Sequence, residues 1–332
     1  MKKIILTCAA AALLMASVSC KKEKEGVYNP KEKIQKIYLD YKVYENGELA
    51  NEMPKYLSES WSWKEDILDR ITYYQPTYSE EVSIPFYVYT QLFTYDNDNR
   101  LTKSEVLGYA NMYATYEYDG QYLKTIKMYE NNQYSMGFTF NRDGKTVTSI
   151  TVTFTSDMID KASGNKQLAS LLQRTNPLRF VLAPEAADQL LTLSSDCAKK
   201  VAKKGSKLDP AMVNIEFELE WKDGNITHYN GRLYFDELDA AMTYDTKHNP
   251  YLGLYDLVNT LNESSGLHTA SMSKNNITSI TLTASEATTN TTESDTYNYT
   301  YTYNSKDYPA TKTITENYGY RETLVTTTYF EY

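Results

Sequence analysis

The chain has 332 residues, with 34 Lys plus Arg against 43 Asp plus Glu, a formal net charge of −9. That acidic balance excludes a phosphate-tracking nucleic-acid footprint, and three Cys exclude a disulfide-dense scaffold. A mean hydropathy of −0.57 excludes a polytopic helical membrane protein, while 13% aromatic residues, 32 of them Tyr, argue against disorder.

The first element is the N-terminal segment. Lys2 and Lys3 precede the apolar run Ile4–Ala16, which is too short to span a bilayer and has the form of a secretory signal. Ser17-Val18-Ser19-Cys20, followed at once by Lys21 and Lys22, resembles a bacterial lipobox, with Ser17 where Leu is usual. The resemblance implies removal of residues 1–19 and acylation of Cys20. More than one acyl chain gives stable membrane anchoring, whereas a single chain binds only marginally. The competing expectation is ordinary cleavage near Ala16–Ser19, releasing a soluble protein. Residues 20–30 form the expected tether, and residues 31–332 the folded part.

Period-two alternation dominates that folded part. Ile150, Val152 and Phe154 alternate with Thr. Phe217, Leu219 and Trp221 alternate with Glu216, Glu218 and Glu220, and Tyr297, Tyr299, Tyr301 and Tyr303 with Asn and Thr. A strand sorts such residues into a packed face and a wet face, which a helix does not. Asn46-Gly47, Asp119-Gly120, Asp143-Gly144 and Asp223-Gly224 supply hairpin turns. A weak repeat runs through the strands: two aromatics flanking one residue, then a turn residue. It occurs at Trp61–Lys64, Phe93–Asp96, Tyr116–Asp119, Phe138–Asn141 and Tyr301–Asn304. Units of this kind bury their apolar faces only against neighbours.

Residues 161–205 break the alternation. Leu168, Leu171 and Leu172 have helical spacing, and Leu190, Leu193, Cys197 and Val201 form a second stripe that opens at Pro184 and ends before Gly205. A short third helix is expected near Leu254–Leu261. The expected fold is therefore mainly β within the α+β class: an antiparallel hairpin meander forming a large curved sheet. The helical insert at about 161–205 would pack on one face.

In the second half, Trp221-Lys222-Asp223-Gly224-Asn225-Ile226 is followed by Tyr244-Asp245-Thr246-Lys247-His248-Asn249-Pro250. Ser273–Ile280 and Tyr301–Pro309 come next. This order resembles an uncharacterised bacterial lipoprotein family with a domain of unknown function built of tyrosine-aspartate (YD-like) hairpin repeats. The resemblance implies export, lipidation and a β-rich fold, and carries no catalytic residues.

No nucleophile-elbow, zincin, Cys-pair or phosphate-loop motif occurs. His228, His248 and His268 have no metal-ligand spacing. Asp96-Asn97-Asp98-Asn99 hints at a calcium loop but has Leu101 where Gly is needed and Leu107 where a Glu is needed. No catalytic residue, metal or cofactor is therefore expected, and the protein is taken as a non-enzyme. The leading expectation is an outer-membrane lipoprotein, on the periplasmic face or the cell surface, acting as a binding or accessory module. Its partners would be the membrane through the lipid anchor, and glycans or envelope proteins. Trp61, Trp63, Tyr73 and Tyr74 are the candidate sugar-stacking rings, weighed against simple core packing. The alternatives are a scaffolding lipoprotein assembling through an open sheet edge and a hydrolase with an acid pair that spacing does not reveal.

Overall fold

The computed structural model describes residues 24–77, 84–107, 111–155, 212–233, 236–255, 271–286, 291–318 and 322–332. Sixteen strands follow in chain order: β1 (Lys36–Glu45), β2 (Glu48–Lys64), β3 (Ile67–Thr77), β4 (Ile84–Tyr95), β5 (Leu101–Leu107), β6 (Met112–Asp119), β7 (Tyr122–Glu130), β8 (Gln133–Asp143), β9 (Thr146–Thr155), β10 (Met212–Lys222), β11 (Asn225–Leu233), β12 (Asp236–Tyr244), β13 (Ile277–Glu286), β14 (Thr291–Tyr303), β15 (Pro309–Tyr318) and β16 (Glu322–Glu331). Each pairs antiparallel with its sequence neighbours. β1 then pairs with β16 without a break from Lys36 opposite Glu331 to Glu45 opposite Glu322.

The wall is thus a closed barrel, not the expected curved sheet, and no helix occurs among the described residues. The physical reason is that β1–β16 pairing joins the two ends of the chain, and closure leaves no strand edge unpaired. The expected assembly through an open edge has no such edge among these strands. The helical insert at 161–205 and the third helix beyond Tyr255 lie outside the described residues, as do residues 1–19 and Cys20.

Because the strands alternate in direction, all turns fall at two ends. One end, the base, holds the β2–β3, β4–β5, β6–β7, β8–β9, β10–β11 and β14–β15 turns, together with Lys36 and Tyr332. The mouth holds the turns at Asn46-Gly47 and Asn131-Asn132, all four at positive φ.

The sequence repeat has a structural counterpart at the base. A register shift falls just before the second ring of the motif, between Ser62 and Trp63, Thr94 and Tyr95, Glu117 and Tyr118, and Thr302 and Tyr303, and the same shift precedes the single rings Trp221 and Tyr244 on β10 and β12. Bulges of this kind bend and twist a barrel rim. The motif's Asp or Asn then folds the turn. Asp96 Oδ1 accepts from the backbone N–H of Asp98 and Arg100, and Asn304 Oδ1 accepts from those of Lys306 and Tyr308. The Asp96 loop is therefore an Asx-type hairpin turn rather than a calcium loop.

At the end of each even strand, one side chain donates to a carbonyl at or near the start of the preceding odd strand. Trp63 Nε1 donates to Ile34 O, just before β1, at 2.8 Å. Tyr95 donates to Leu68 O at 2.7 Å, Tyr118 to Leu101 O at 2.7 Å, and Trp221 Nε1 to Val147 O at 2.7 Å. Tyr244 donates to Ile226 O at 2.5 Å, Tyr301 to Ile277 O at 2.8 Å, and Tyr332 to Pro309 O at 3.0 Å. In β8 the motif ring is Phe140, which has no donor. There Arg142 Nη2 reaches the equivalent carbonyl of Leu123 at 3.3 Å. A ring of polar-tipped aromatics thereby ties each hairpin to the one before it, burying the ring body and satisfying the tip.

Alternation along each strand sorts the wall. The inward row Leu219, Tyr229, Ala240 and Leu282 crosses β10–β13 and is buried throughout. The outward row Asn141, Ser149, Glu218, Asn230, Asp239, Thr283 and Ser294 crosses β8–β14. A second outward row is Glu117, Thr125, Thr139, Thr151 and Glu216. A third is Thr300, Thr313, Thr327 and Asp40. Among the described residues, the outward rows are hydroxyl-bearing and charged, and the inward face is a continuous apolar cluster that also buries Glu59, Gln91 and Ser104.

Candidate functional site

Sixteen strands enclose more space than their own side chains fill. At the base, two segments occupy the lumen. Residues 24–35 enter from the rim: Leu101 N donates to Gly26 O at 2.9 Å, and Gln35 N to Glu331 O at 2.7 Å. Residues 245–255, with 271–276, form the second segment, in which Gly253 N donates to Ser271 O at 2.7 Å. The Tyr28 hydroxyl joins the two by donating to Pro250 O at 2.8 Å.

These segments meet the wall through aromatic rings. Tyr28 lies 6.4 Å from Trp61 and 5.7 Å from Trp63 between centroids. Tyr251 lies 6.4 Å from Trp61 and 6.1 Å from Phe330, so it spans β2 and β16. Tyr255 meets Phe140 of β8 edge-on at 6.2 Å. The lumen at the base is therefore a plugged, aromatic core.

The four sequence-predicted rings do not form one exposed platform. Trp61 and Tyr73 are 3% and 2% exposed. Trp61 Nε1 donates to the buried Glu59 carboxylate at 2.8 Å, and Tyr73 stacks on Tyr89 at 4.4 Å. Trp63 packs partly buried against the core and stacks with Trp61. Tyr74 turns the other way, its hydroxyl 3.1 Å from the Ser60 hydroxyl. A bulge between Tyr73 and Tyr74 accompanies this change of face. A buried ring offers no face to a sugar arriving from solvent, so for Trp61 and Tyr73 core packing prevails.

Outward rings are spoken for as well. Tyr113 stacks on Tyr129 at 4.8 Å, Tyr134 meets Tyr129 edge-on at 6.1 Å, and Lys103 Nζ sits 5.0 Å from the Tyr113 ring. Lys55 Nζ lies between Tyr38 and Tyr329, at 4.7 and 4.2 Å from their centroids. Sequence alternation alone does not reveal these outer-wall clusters, because they are assembled from different strands.

Inside the base, a cleft is lined by Tyr251, Ile280, Tyr299, Tyr301, Lys312 and Phe330 among others, with room for a couple of water molecules. No carboxylate, His or Cys lines it. Burial pushes the Tyr251 and Tyr301 phenols well above their ordinary value of 10.0, so both stay protonated at neutral pH. Neither ring supplies a base or nucleophile. Two acids flank the cleft without lining it: Asp245 accepts from Asn276 Nδ2 at 3.0 Å, and Glu59 is fully buried beside Trp61.

The two described histidines lie apart, and His268 is outside the described residues. His228 Nε2 lies 2.6 Å from Asp239 Oδ2 on the outer wall, and His248 packs 5.0 Å from the Tyr308 ring at the base. Among the described residues, no group of three or more His, Cys, Asp or Glu side chains is arranged to hold a metal ion.

No family model matches the chain, and no curated protein does. Among solved structures, the chain is similar to a porin-like protein from Bacteroides uniformis, with a TM-score of 0.50 and 12% identity over 92% of this chain and 99% of that one. It is also aligned with a porin-like protein from Bacteroides vulgatus over 91% of this chain and 99% of that one, at 7% identity and a TM-score of 0.27. The first likeness is one of fold, and the second is too slight to bear on it.

The chemistry of the wall sets this barrel apart from a membrane-spanning one. A spanning barrel carries an apolar outward band about 25 Å tall and a polar lumen. Here, among the described residues, outward positions include Glu117, Glu216, Glu218, Asp239, Lys103 and Lys127, while most apolar side chains face inward, Leu107 being an outward exception. Each Lys facing lipid near the midplane would cost about 2–4 kcal/mol, and each acid somewhat less.

Proposed function

We propose that the chain is an exported protein of the cell envelope, held on the outer membrane by lipid on Cys20. Its barrel stands in water and serves as a non-catalytic binding or accessory module. The observation that carries this reading is the inverted polarity of the wall. A barrel with charged outward rows and a plugged apolar lumen is suited neither to sitting in hydrocarbon nor to conducting solutes. Membrane attachment then needs a separate device, and acylated Cys20 supplies it.

Support for a non-catalytic role comes from the described cleft at the base, whose lining offers Lys312 and protonated phenols and holds no carboxylate. Glycans and other envelope proteins are the proposed partners, meeting the outer wall or the mouth rather than the buried Trp61 and Tyr73.

Fractionation tests the reading. The parent protein should sediment with membranes and resist a carbonate wash, and Cys20→Ala should move to the soluble fraction with its β-rich circular dichroism intact. Cys20→Ala that stays in the carbonate-washed membrane, or parent protein that opens discrete conductance steps in a planar bilayer, would mean that the wall itself spans.

A further inference from the structure

We infer that the base of the barrel, on the side running from the Asp96 turn to the Lys145 turn, faces the lipid headgroups and that the mouth points away from the membrane. This rests on the lipid anchor proposed above and adds to it a defined interaction surface.

The reach of the chain from Cys20 to the barrel sets the orientation. The expected tether covers residues 20–30, yet the chain is fastened to the base from Lys24 onward. Lys24 Nζ pairs with Asp98 in the β4–β5 turn at 2.7 Å. Glu25 N donates to Gln121 O of the β6–β7 turn at 3.0 Å. The Glu25 carboxylate accepts from Leu123 N at 2.8 Å and from Arg142 Nη2 at 2.5 Å. Arg142 in turn donates to Lys145 O in the β8–β9 turn at 2.9 Å. Gly26 follows at positive φ with its carbonyl bound by Leu101 N, and Tyr28 is buried. Three base turns therefore hold the point where the chain leaves the barrel.

Only Lys21, Lys22 and Glu23 separate Cys20 from Lys24. Even fully extended, the step from Cys20 to Lys24 covers about 14 Å. A lipid on Cys20 must therefore lie within that distance of the rim between β4 and β9. The mouth is out of reach of it. β8 has 11 residues, about 36 Å of strand at roughly 3.3 Å per residue, and a tilt of about 35–45° still leaves a height of about 25–30 Å. The tether alone thus selects one end of the molecule for the membrane.

Two consequences follow. The plug segments and the ring of aromatic donors lie on the membrane side, shielded from large partners. β9 ends and β10 begins at the mouth, so the connection 156–211 departs on the side facing away from the bilayer.

The test places a fluorophore on a single Cys at Lys145→Cys (base) or Gln133→Cys (mouth, on the same β8 side), in a Cys197→Ser background. The lipidated proteins are reconstituted into phosphatidylcholine vesicles with and without a quencher fixed to the headgroup. The base label should be quenched several-fold more strongly than the mouth label. Equal quenching, as for a barrel lying on its side, or stronger quenching at the mouth would overturn the orientation. Vesicle flotation separates the two claims: protein that floats with a reversed pattern overturns the orientation alone, and protein that fails to float overturns the anchor as well.

Discussion

The ring of donors at the base makes a quantitative prediction. In Tyr118→Phe and Tyr301→Phe the rings stay in place and only the hydroxyls leave, removing bonds of 2.7 Å to Leu101 O and 2.8 Å to Ile277 O. A net hydrogen bond of this type contributes about 1 kcal/mol, rising towards 3 if the abandoned carbonyl finds no other donor. β6 and β14 lie on opposite sides of the closed ring, so the two losses should add, to about 2 kcal/mol in the double variant. With an m value of about 2–3 kcal/mol/M in urea, each single variant should lower the unfolding midpoint by about 0.3–0.5 M at unchanged m. Tyr113→Phe, on the outer wall, is the control and should stay within about 0.5 kcal/mol of the parent. A double variant indistinguishable from the parent would show that the ring bonds are incidental to stability.

Three further outcomes are expected. A Cβ on Gly231 would lie 2.3 Å from the buried Phe217 ring, so Gly231→Ala should cost about 1–3 kcal/mol in urea unfolding; a neutral result would mean the ring has room to move. A hydrogen bond to the Asp40 carboxylate, then burial, pushes the Tyr329 phenol up from 10.0 to about 12. Its contribution is full below pH 10 and is lost as pH rises towards 12. Absorbance at 295 nm should show buried Tyr such as Tyr28 and Tyr251 ionising together with loss of the circular dichroism signal, not before it. On the acid side, hydrogen bonds from Lys127 to Glu117 and from Lys36 to Glu331 hold both carboxyls below their ordinary 4.5. Their stabilisation is present above that value and fades as pH falls through the lower folded pKa. Glu117→Gln should therefore flatten the acid limb of a stability-against-pH curve, and an unchanged limb would count against the pairing.

Much of this architecture is legible in the chain because it is local. Alternation at 217–221 and 297–303 assigns faces correctly, since Phe217, Leu219 and Tyr299 are buried and Glu216, Glu218 and Thr300 exposed. The aromatic repeat marks several base turns: Asp96 and Asn304 fold their loops, and Trp63, Tyr95, Tyr118 and Tyr301 reach one strand back. Closure is illegible because it depends on Lys36–Glu45 meeting Glu322–Glu331, a pairing between chain ends that no short window records. Alternation likewise does not say which face is core: Trp61 and Tyr74 both sit on alternating strands, one inside and one outside. The plug is hidden for a related reason. Tyr28 and Tyr251 lie in segments without alternation, and only their three-dimensional meeting over Trp61 shows that they fill a lumen.

The polar outward rows decide whether the barrel stands in water or in lipid, and the detergent bound by the folded barrel reports on them directly. Light scattering combined with absorbance on Cys20→Ala, run in a mild detergent above its micelle concentration, measures protein and detergent mass separately. The polar wall predicts a monomer carrying no micelle, with the same mass as in detergent-free buffer. A detergent belt comparable to the mass of the protein, or precipitation when detergent is withdrawn, would contradict it.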